Sequence, residues 1–143
     1  MMSETVKGHG NCLCGAVSFT VGDISKNMGA CHCDTCRKWG GGPFLAVECG
    51  TDVTFGGEDN ISVFNSSEWA QRGFCKQCGT HLFYRLLESQ EYILPAGLFA
   101  DDEQFQLDHQ VFIDQKPSNY CFSNDTKNMT GAEVFAMYAP PAE

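Results

Sequence analysis

The sequence predicts a mainly β protein of short antiparallel strands, and three observations carry the prediction. Apolar runs are brief and are separated by Gly, Asn and Asp, the residues that turns select. Helical periodicity is scarce. Seven of the nine cysteines stand in three tight clusters, spaced for binding metal.

Taken in order, residues 16–21 alternate apolar and polar side chains and read as a strand. Residues 44–47 form a short apolar run, the mark of a buried strand. Residues 53–55, 61–64, 72–74 and 82–84 are further strands between turn residues, and 92–94 and 111–113 continue the pattern. Residues 101–107 hold a short helical turn. The best helix lies near the C-terminus. Thr130 caps it, and Glu133 three residues later completes a capping box. Val134, Phe135 and Met137 supply its apolar side, and Pro140 stops it.

A chain of 143 residues suits a single domain spanning 1–143, and 43% hydrophobic with 19% charged residues is a globular composition. No apolar run approaches the roughly 20 residues of a membrane helix. The first eleven residues are polar and lack an apolar signal segment. These features place the protein in the cytoplasm, away from membranes, where thiols stay reduced. The formal charge is −9, from nine Lys plus Arg against 18 Asp plus Glu. A duplex demands clustered cations, and only Arg37-Lys38 approaches a cluster, so nucleic acid is not an expected partner.

The clusters are Cys12-Leu13-Cys14, Cys31-His32-Cys33-Asp34-Thr35-Cys36 and Cys75-Lys76-Gln77-Cys78. Zinc takes thiolate sulfur tetrahedrally, and C-x-C or C-x-x-C spacing lets a tight turn present two sulfurs to one ion. Gly15 after Cys14 and Gly79 after Cys78 suit such turns. Iron or an iron–sulfur cluster uses similar ligands, and colour would separate them from zinc. Seven ligands divide as four plus three. The pairs Cys12/Cys14 and Cys75/Cys78 close one structural site. Cys31, Cys33 and Cys36 supply three sulfurs locally and leave a fourth position free, as in catalytic zinc. The competing reading closes the second site as well, with Cys49, Cys121, His81 or His109. Otherwise Cys49 and Cys121 are core thiols, and Trp39 and Trp69 either line a pocket or pack in the core.

Gly10-Asn11-Cys12-Leu13-Cys14-Gly15-Ala16-Val17, followed by Cys31-His32-Cys33-Asp34-Thr35-Cys36-Arg37-Lys38, resembles the glutathione-dependent formaldehyde-activating enzyme family, which includes centromere protein V. Phe74-Cys75-Lys76-Gln77-Cys78-Gly79-Thr80-His81-Leu82 resembles the family's third motif, and a weaker likeness continues through 109–113 and Lys116-Pro117. The resemblance implies a β-tent fold of small antiparallel sheets around two zinc ions. One is structural, on Cys12, Cys14, Cys75 and Cys78. The other, on Cys31, Cys33 and Cys36, accepts a substrate sulfur. It also implies carbon–sulfur lyase chemistry, glutathione and formaldehyde joining reversibly as S-hydroxymethylglutathione. One departure stands out: family members commonly carry a tryptophan after the Lys-Pro element, and this chain has Ser118-Asn119-Tyr120. That difference raises another thiol or aldehyde as substrate.

Glutathione carries two carboxylates, so a site for it wants cations and backbone N–H groups. Arg37 is the planar partner, Lys38 and Lys116 add charge, and glycines 40–42, Gly41 central among them, either let the backbone approach a ligand or turn the chain into the strand at Phe44. His32 is either a proton donor to the new alkoxide or else an exposed loop filler or a residue bonded to backbone; His81 is either a proton donor or a packed strand residue. Three functions follow. The first is an enzyme joining or separating a thiol and an aldehyde at zinc. The second is a thiol carrier without rate enhancement. The third is a structural module with both zincs closed.

Overall fold

The computed structural model describes residues 5–138. Among them are eleven strands and two α-helices, so the mainly β expectation is met. The chain forms two compact units. The first holds the chain up to Met28 together with Ala46–Gln106, and the second holds Gly29–Leu45 and the chain from Leu107.

In the first unit, β1 (Thr5–Asn11), β2 (Ser18–Ser25) and β5 (Val53–Gly56) form a three-stranded antiparallel sheet in the order β1-β2-β5. A second run of antiparallel strands has the order β4-β9-β8-β7-β6, where β4 is Phe44–Gly50, β6 Ile61–Asn65, β7 Ala70–Cys75, β8 His81–Leu86 and β9 Tyr92–Pro95. Period-two patterning drives these strands: in β2, Phe19, Val21 and Ile24 are buried, while Ser18, Thr20 and Gly22 face out. They pack with Val47, Leu82, Phe83, Leu94, Phe99 and Phe105 into one apolar core. Its aromatics meet edge to face: Phe19 and Phe99 at 5.1 Å and 84°, Phe83 and Tyr92 at 5.1 Å and 87°. Trp69 departs from the core expectation. It is 53% exposed beside the end strand β6, whose Val63 and Phe64 are also exposed.

The second unit contains β3 (Asn27–Cys31, from Gly29 on), α1 (Asp34–Gly40), β10 (Gln106–Val111), β11 (Lys127–Met129) and α2 (Gly131–Tyr138), with strand order β11-β10-β3. β10 and β11 pair in parallel, the exception to the antiparallel expectation. The expected strand at 111–113 is corrected. β10 ends at Val111, Phe112 adopts φ 55°, and a 3-10 turn follows at Ile113–Gln115. The helix at Thr130 forms as its capping box foretells. Glu133 N–H donates to Thr130 Oγ1 at 3.2 Å, and Thr130 N–H donates to the Glu133 carboxylate at 2.8 Å. Pro140 lies outside the described residues. The short turn in 101–107 appears as a 3-10 helix at Asp102–Gln104.

α1 was not legible as a helix because it starts inside the second cysteine cluster. Its N-cap is Cys33, whose sulfur accepts the Cys36 N–H at 3.3 Å. Asp34 stands in its first turn, Arg37 and Lys38 stand in its last, and Gly41 closes it at φ 85°.

Candidate metal centres

The first unit folds two cysteine pairs onto each other. Cys12 follows β1, and its loop is held by Cys12 N–H to Val17 O at 2.9 Å and Gly15 N–H to Cys12 O at 3.1 Å. Cys75 ends β7, and Gly79 N–H returns to Cys75 O at 2.7 Å. The sulfurs of Cys12, Cys14, Cys75 and Cys78 all lie within 4.8 Å of one another. A zinc–sulfur bond of about 2.3 Å fixes the edge of a tetrahedron of sulfurs at about 3.8 Å. Cys12 to Cys14 is 3.7 Å and Cys14 to Cys75 is 3.8 Å, so the donors fit zinc in type, number and spacing. Thr80 ties the two arms together: its hydroxyl accepts the Leu13 N–H at 3.1 Å and lies 3.1 Å from Cys78 Sγ. The Thr80 hydroxyl and N–H pull the Cys78 thiol down to about 5. At Cys14 the Ala16 N–H favours thiolate, but burial and the neighbouring sulfurs outweigh it and push the thiol up to about 11. Crowded thiols cannot all ionise without a cation among them, and a dication removes that conflict.

The second unit gathers Cys31 at the end of β3, Cys33 at the N-cap of α1 and Cys36 within it, again with sulfurs within 4.8 Å of one another. Among the described residues no fourth His, Cys, Asp or Glu brings a ligand atom into this group. Cys33 and Cys36 push the Cys31 thiol far up, so this trio also calls for a cation before it can ionise. The candidates for a fourth ligand are elsewhere. Cys49 is fully buried in the first unit's core, His81 is half-buried in β8, and His109 bonds Asp108 at 2.6 Å. Cys121 is exposed, which corrects its reading as a core thiol.

His32, between two of the ligands, is no loop filler. It is fully buried, its Nδ1 lies 2.7 Å from the Tyr120 hydroxyl, and its Nε2 lies 2.7 Å from Gln110 Oε1. Burial lowers its imidazole's affinity for a proton. Its carbonyl accepts from Arg37 Nε at 2.9 Å, which fixes the guanidinium on α1. Asp34 meets Arg37 at 3.9 Å and Lys38 at 3.8 Å.

Arg37, Lys38 and Gly41 all line one cavity of about 440 Å³, together with Asp34, Gly42, Pro43, Pro117, Asn119 and Tyr120. The three ligand sulfurs are not among its walls; α1 links the two features, supplying both Cys36 and the cavity's cations. Gly41 also has a structural duty, since its N–H caps α1 by bonding Arg37 O at 2.8 Å. Trp39 is half-buried against Phe44, with ring centroids 5.7 Å apart. Tyr120 and Gln110 escaped the reading of the sequence as site residues. The signal at Tyr120 was its place just past Lys116-Pro117, where the family carries tryptophan.

A β protein that brings four cysteine sulfurs together in one unit and three in another belongs to the class of β-tent-like proteins with cysteine clusters that could hold metal ions. Comparison with known proteins makes the assignment specific. The profile of the glutathione-dependent formaldehyde-activating enzymes matches residues 7–115, and the chain belongs to this family. An uncharacterised lyase of Schizosaccharomyces pombe is 38% identical over 126 residues, covering 87% of this chain and 92% of the relative. A crystal structure of a Rhodobacter sphaeroides protein is similar in fold, with a TM-score of 0.57 at 23% identity over 65% of this chain and 88% of that one. No described helix is long and apolar enough to cross a membrane.

Proposed function

We propose that this chain is a zinc-dependent carbon–sulfur lyase that joins or separates a thiol, glutathione or a close analogue, and an aldehyde such as formaldehyde. One observation carries the reading. Three sulfurs converge from the end of β3 and the first turn of α1 with no fourth His, Cys, Asp or Glu donor among the described residues, and α1 also carries two cations that line a cavity. Membership of the family supports the substrate class. Two zincs are proposed, one structural in the first unit and one open in the second.

Zinc on Cys31, Cys33 and Cys36 would supply a positive charge that favours thiolate over thiol at neutral pH. The chain's own residues do the rest. Arg37 and Lys38 bind substrate carboxylate, with the backbone at Gly41 beside them. Arg37 is held for this by its bond to the His32 carbonyl. In the forward direction a bond forms between thiol sulfur and carbonyl carbon, the carbonyl π pair moves onto oxygen, and the thiol's proton ends there. The product is a hydroxymethyl thioether, and nothing is oxidised or reduced.

The test is elemental analysis with glutathione calorimetry on one sample. Two zincs and saturable binding, with one zinc and no binding in Cys33→Ser, are expected. Two zincs without glutathione binding would overturn the glutathione reading and favour a structural module. Binding with a rate no faster than the spontaneous addition of thiol to formaldehyde would leave a carrier.

A further inference from the structure

His32 has four groups that form hydrogen bonds, and the second unit uses all of them. Its N–H donates to Val111 O at 3.1 Å, and its carbonyl accepts from Arg37 Nε at 2.9 Å. In the ring, Nδ1 lies 2.7 Å from the Tyr120 hydroxyl and Nε2 lies 2.7 Å from Gln110 Oε1. Whichever atom supplies each proton, both ring nitrogens are tied. The ring is fully buried beside those of Tyr120 and Phe122, with centroids 5.5 and 6.1 Å away. Its partners are secured in their turn. Gln110 is buried, and its Nε2 donates to Thr126 Oγ1 at 2.8 Å. Lys116 Nζ donates to the Tyr120 and Pro117 carbonyls.

The ring itself is no ligand. His32 stands between Cys31, the last residue of β3, and Cys33, whose φ of −65° and ψ of 156° are extended. Side chains alternate along extended chain, so the ring projects away from the side that carries the two sulfurs, and only Cys31, Cys33 and Cys36 gather. His32 therefore acts on the sulfurs through the backbone. Cys31 and Cys33 are each one peptide from a buried residue that cannot shift without leaving polar groups unmet, which is costly in an interior. Two of its anchors, Arg37 and Tyr120, are also walls of the cavity. We infer that His32 is the positioning residue of the three-cysteine centre, that Tyr120 and Gln110 act through it, and that the three together set how tightly that centre holds its metal. The inference rests on the reading of Cys31, Cys33 and Cys36 as a metal centre.

Competition with a coloured chelator, on the full zinc-loaded chain, tests it. Tyr120→Phe, which removes a single oxygen, and Gln110→Met are each expected to hold the second metal about 10–100-fold more weakly than the native chain, the range for lost outer-shell partners, and the first metal equally well. In a His32→Ala background, either substitution is expected to cost nothing more, because both act through the ring. If His32→Ala fails to fold, Tyr120→Phe decides alone. Cobalt(II) gives a second readout, since its visible bands follow the geometry of its sulfur ligands. The spectrum of Cys33→Ser, expected to keep the first centre alone, is subtracted, and the remaining bands are expected to shift in Tyr120→Phe. Two metals in the native chain, with native affinity and native cobalt bands in the variants, would overturn the inference and leave the metal reading standing. Equal weakening of both metals would overturn it as well, by reducing the network to general support of the fold. A native chain that holds one metal would overturn the metal reading of the second centre and this inference with it.

Discussion

The two cysteine centres gather their ligands in opposite ways. The first unit reaches across 61 residues to bring Cys14 to Cys75, and it sets Cys12 and Cys75, fully buried, in an apolar core with Phe19, Leu82 and Phe99. The second takes all three sulfurs from one six-residue stretch and has polar groups in its interior: His32 and Gln110 are buried and bonded to each other. Ligands drawn from distant segments make metal binding part of folding, because the unfolded chain holds no such site. Ligands drawn from one turn do not need the metal to join distant chain. Buried polar groups held by bonds, in contrast, cost stability unless every partner is met, so they mark a place where geometry matters more than burial. The difference supports the proposal that the first centre holds the fold and the second acts on a ligand.

The strongest way to break that contrast is to remove one sulfur from each centre. Cys75→Ser is expected to abolish the cooperative thermal transition, since the metal's contribution is comparable to the ~5–15 kcal/mol by which whole domains are stable. Cys33→Ser is expected to melt nearly as the native chain does while holding one metal equivalent fewer. Circular dichroism melts with metal analysis decide it, and identical behaviour of the two variants would end the division into four and three. A milder probe spares the ligands. Thr80→Val removes the hydroxyl that meets both Cys78 Sγ and the Leu13 N–H. Competition with a coloured chelator should show the first centre weakened by about 10–100-fold, the range for lost outer-shell partners, with the second centre unchanged.

These contrasts were unevenly legible in the sequence. Sulfur spacing marked both centres because a C-x-x-C turn is local, and the strands at 53–55 and 61–64 stand where the turn residues around them placed them. β1 was missed because Gly8 and Gly10 interrupt its apolar pattern, and β3 and β11 because neither carries an apolar alternation. The strand expected at 111–113 failed on Phe112, an apolar residue whose φ of 55° no pattern announces. His32 was misjudged for a different reason: its partners are 78 and 88 residues away, and short-range spacing carries no trace of such contacts. What a turn dictates is readable locally; what a buried polar group needs is set by tertiary structure.

A cysteine outside both centres sharpens the comparison. Cys49 is fully buried in the first unit's apolar core, and burial pushes its thiol up to about 12, from 9.0. A folded-state value above the unfolded one means the contribution to stability is intact below pH 9.0 and fades as pH climbs toward 12. The loss is about 1.4 kcal/mol per pH unit in that window. In urea titrations of metal-loaded protein, the native chain's advantage over Cys49→Ala should be about 1.4 kcal/mol smaller at pH 10 than at pH 8. A constant advantage would mean that Cys49 is not held as a neutral core thiol, and the split between liganded and packing cysteines would lose its control.

The finest contrast uses two glycines of nearly equal backbone conformation. Gly79 follows Cys78 with φ 80°, and Gly41 ends α1 with φ 85°. An added Cβ meets nothing within 4 Å at either position, so alanine brings backbone strain and no clash. Each substitution should therefore cost about 1 kcal/mol. The readouts should differ because each turn serves a different centre. In Gly79→Ala the strain falls on the turn that returns Gly79 N–H to Cys75 O, so the melting temperature and the first metal should both weaken. In Gly41→Ala it falls on the cap of the helix that carries Arg37 and Lys38, and glutathione binding should weaken while the first metal holds. If Gly79→Ala instead weakened glutathione binding as much as Gly41→Ala did, the two centres would be acting as one, and the assignment of fold to the first and ligand to the second would have to be given up.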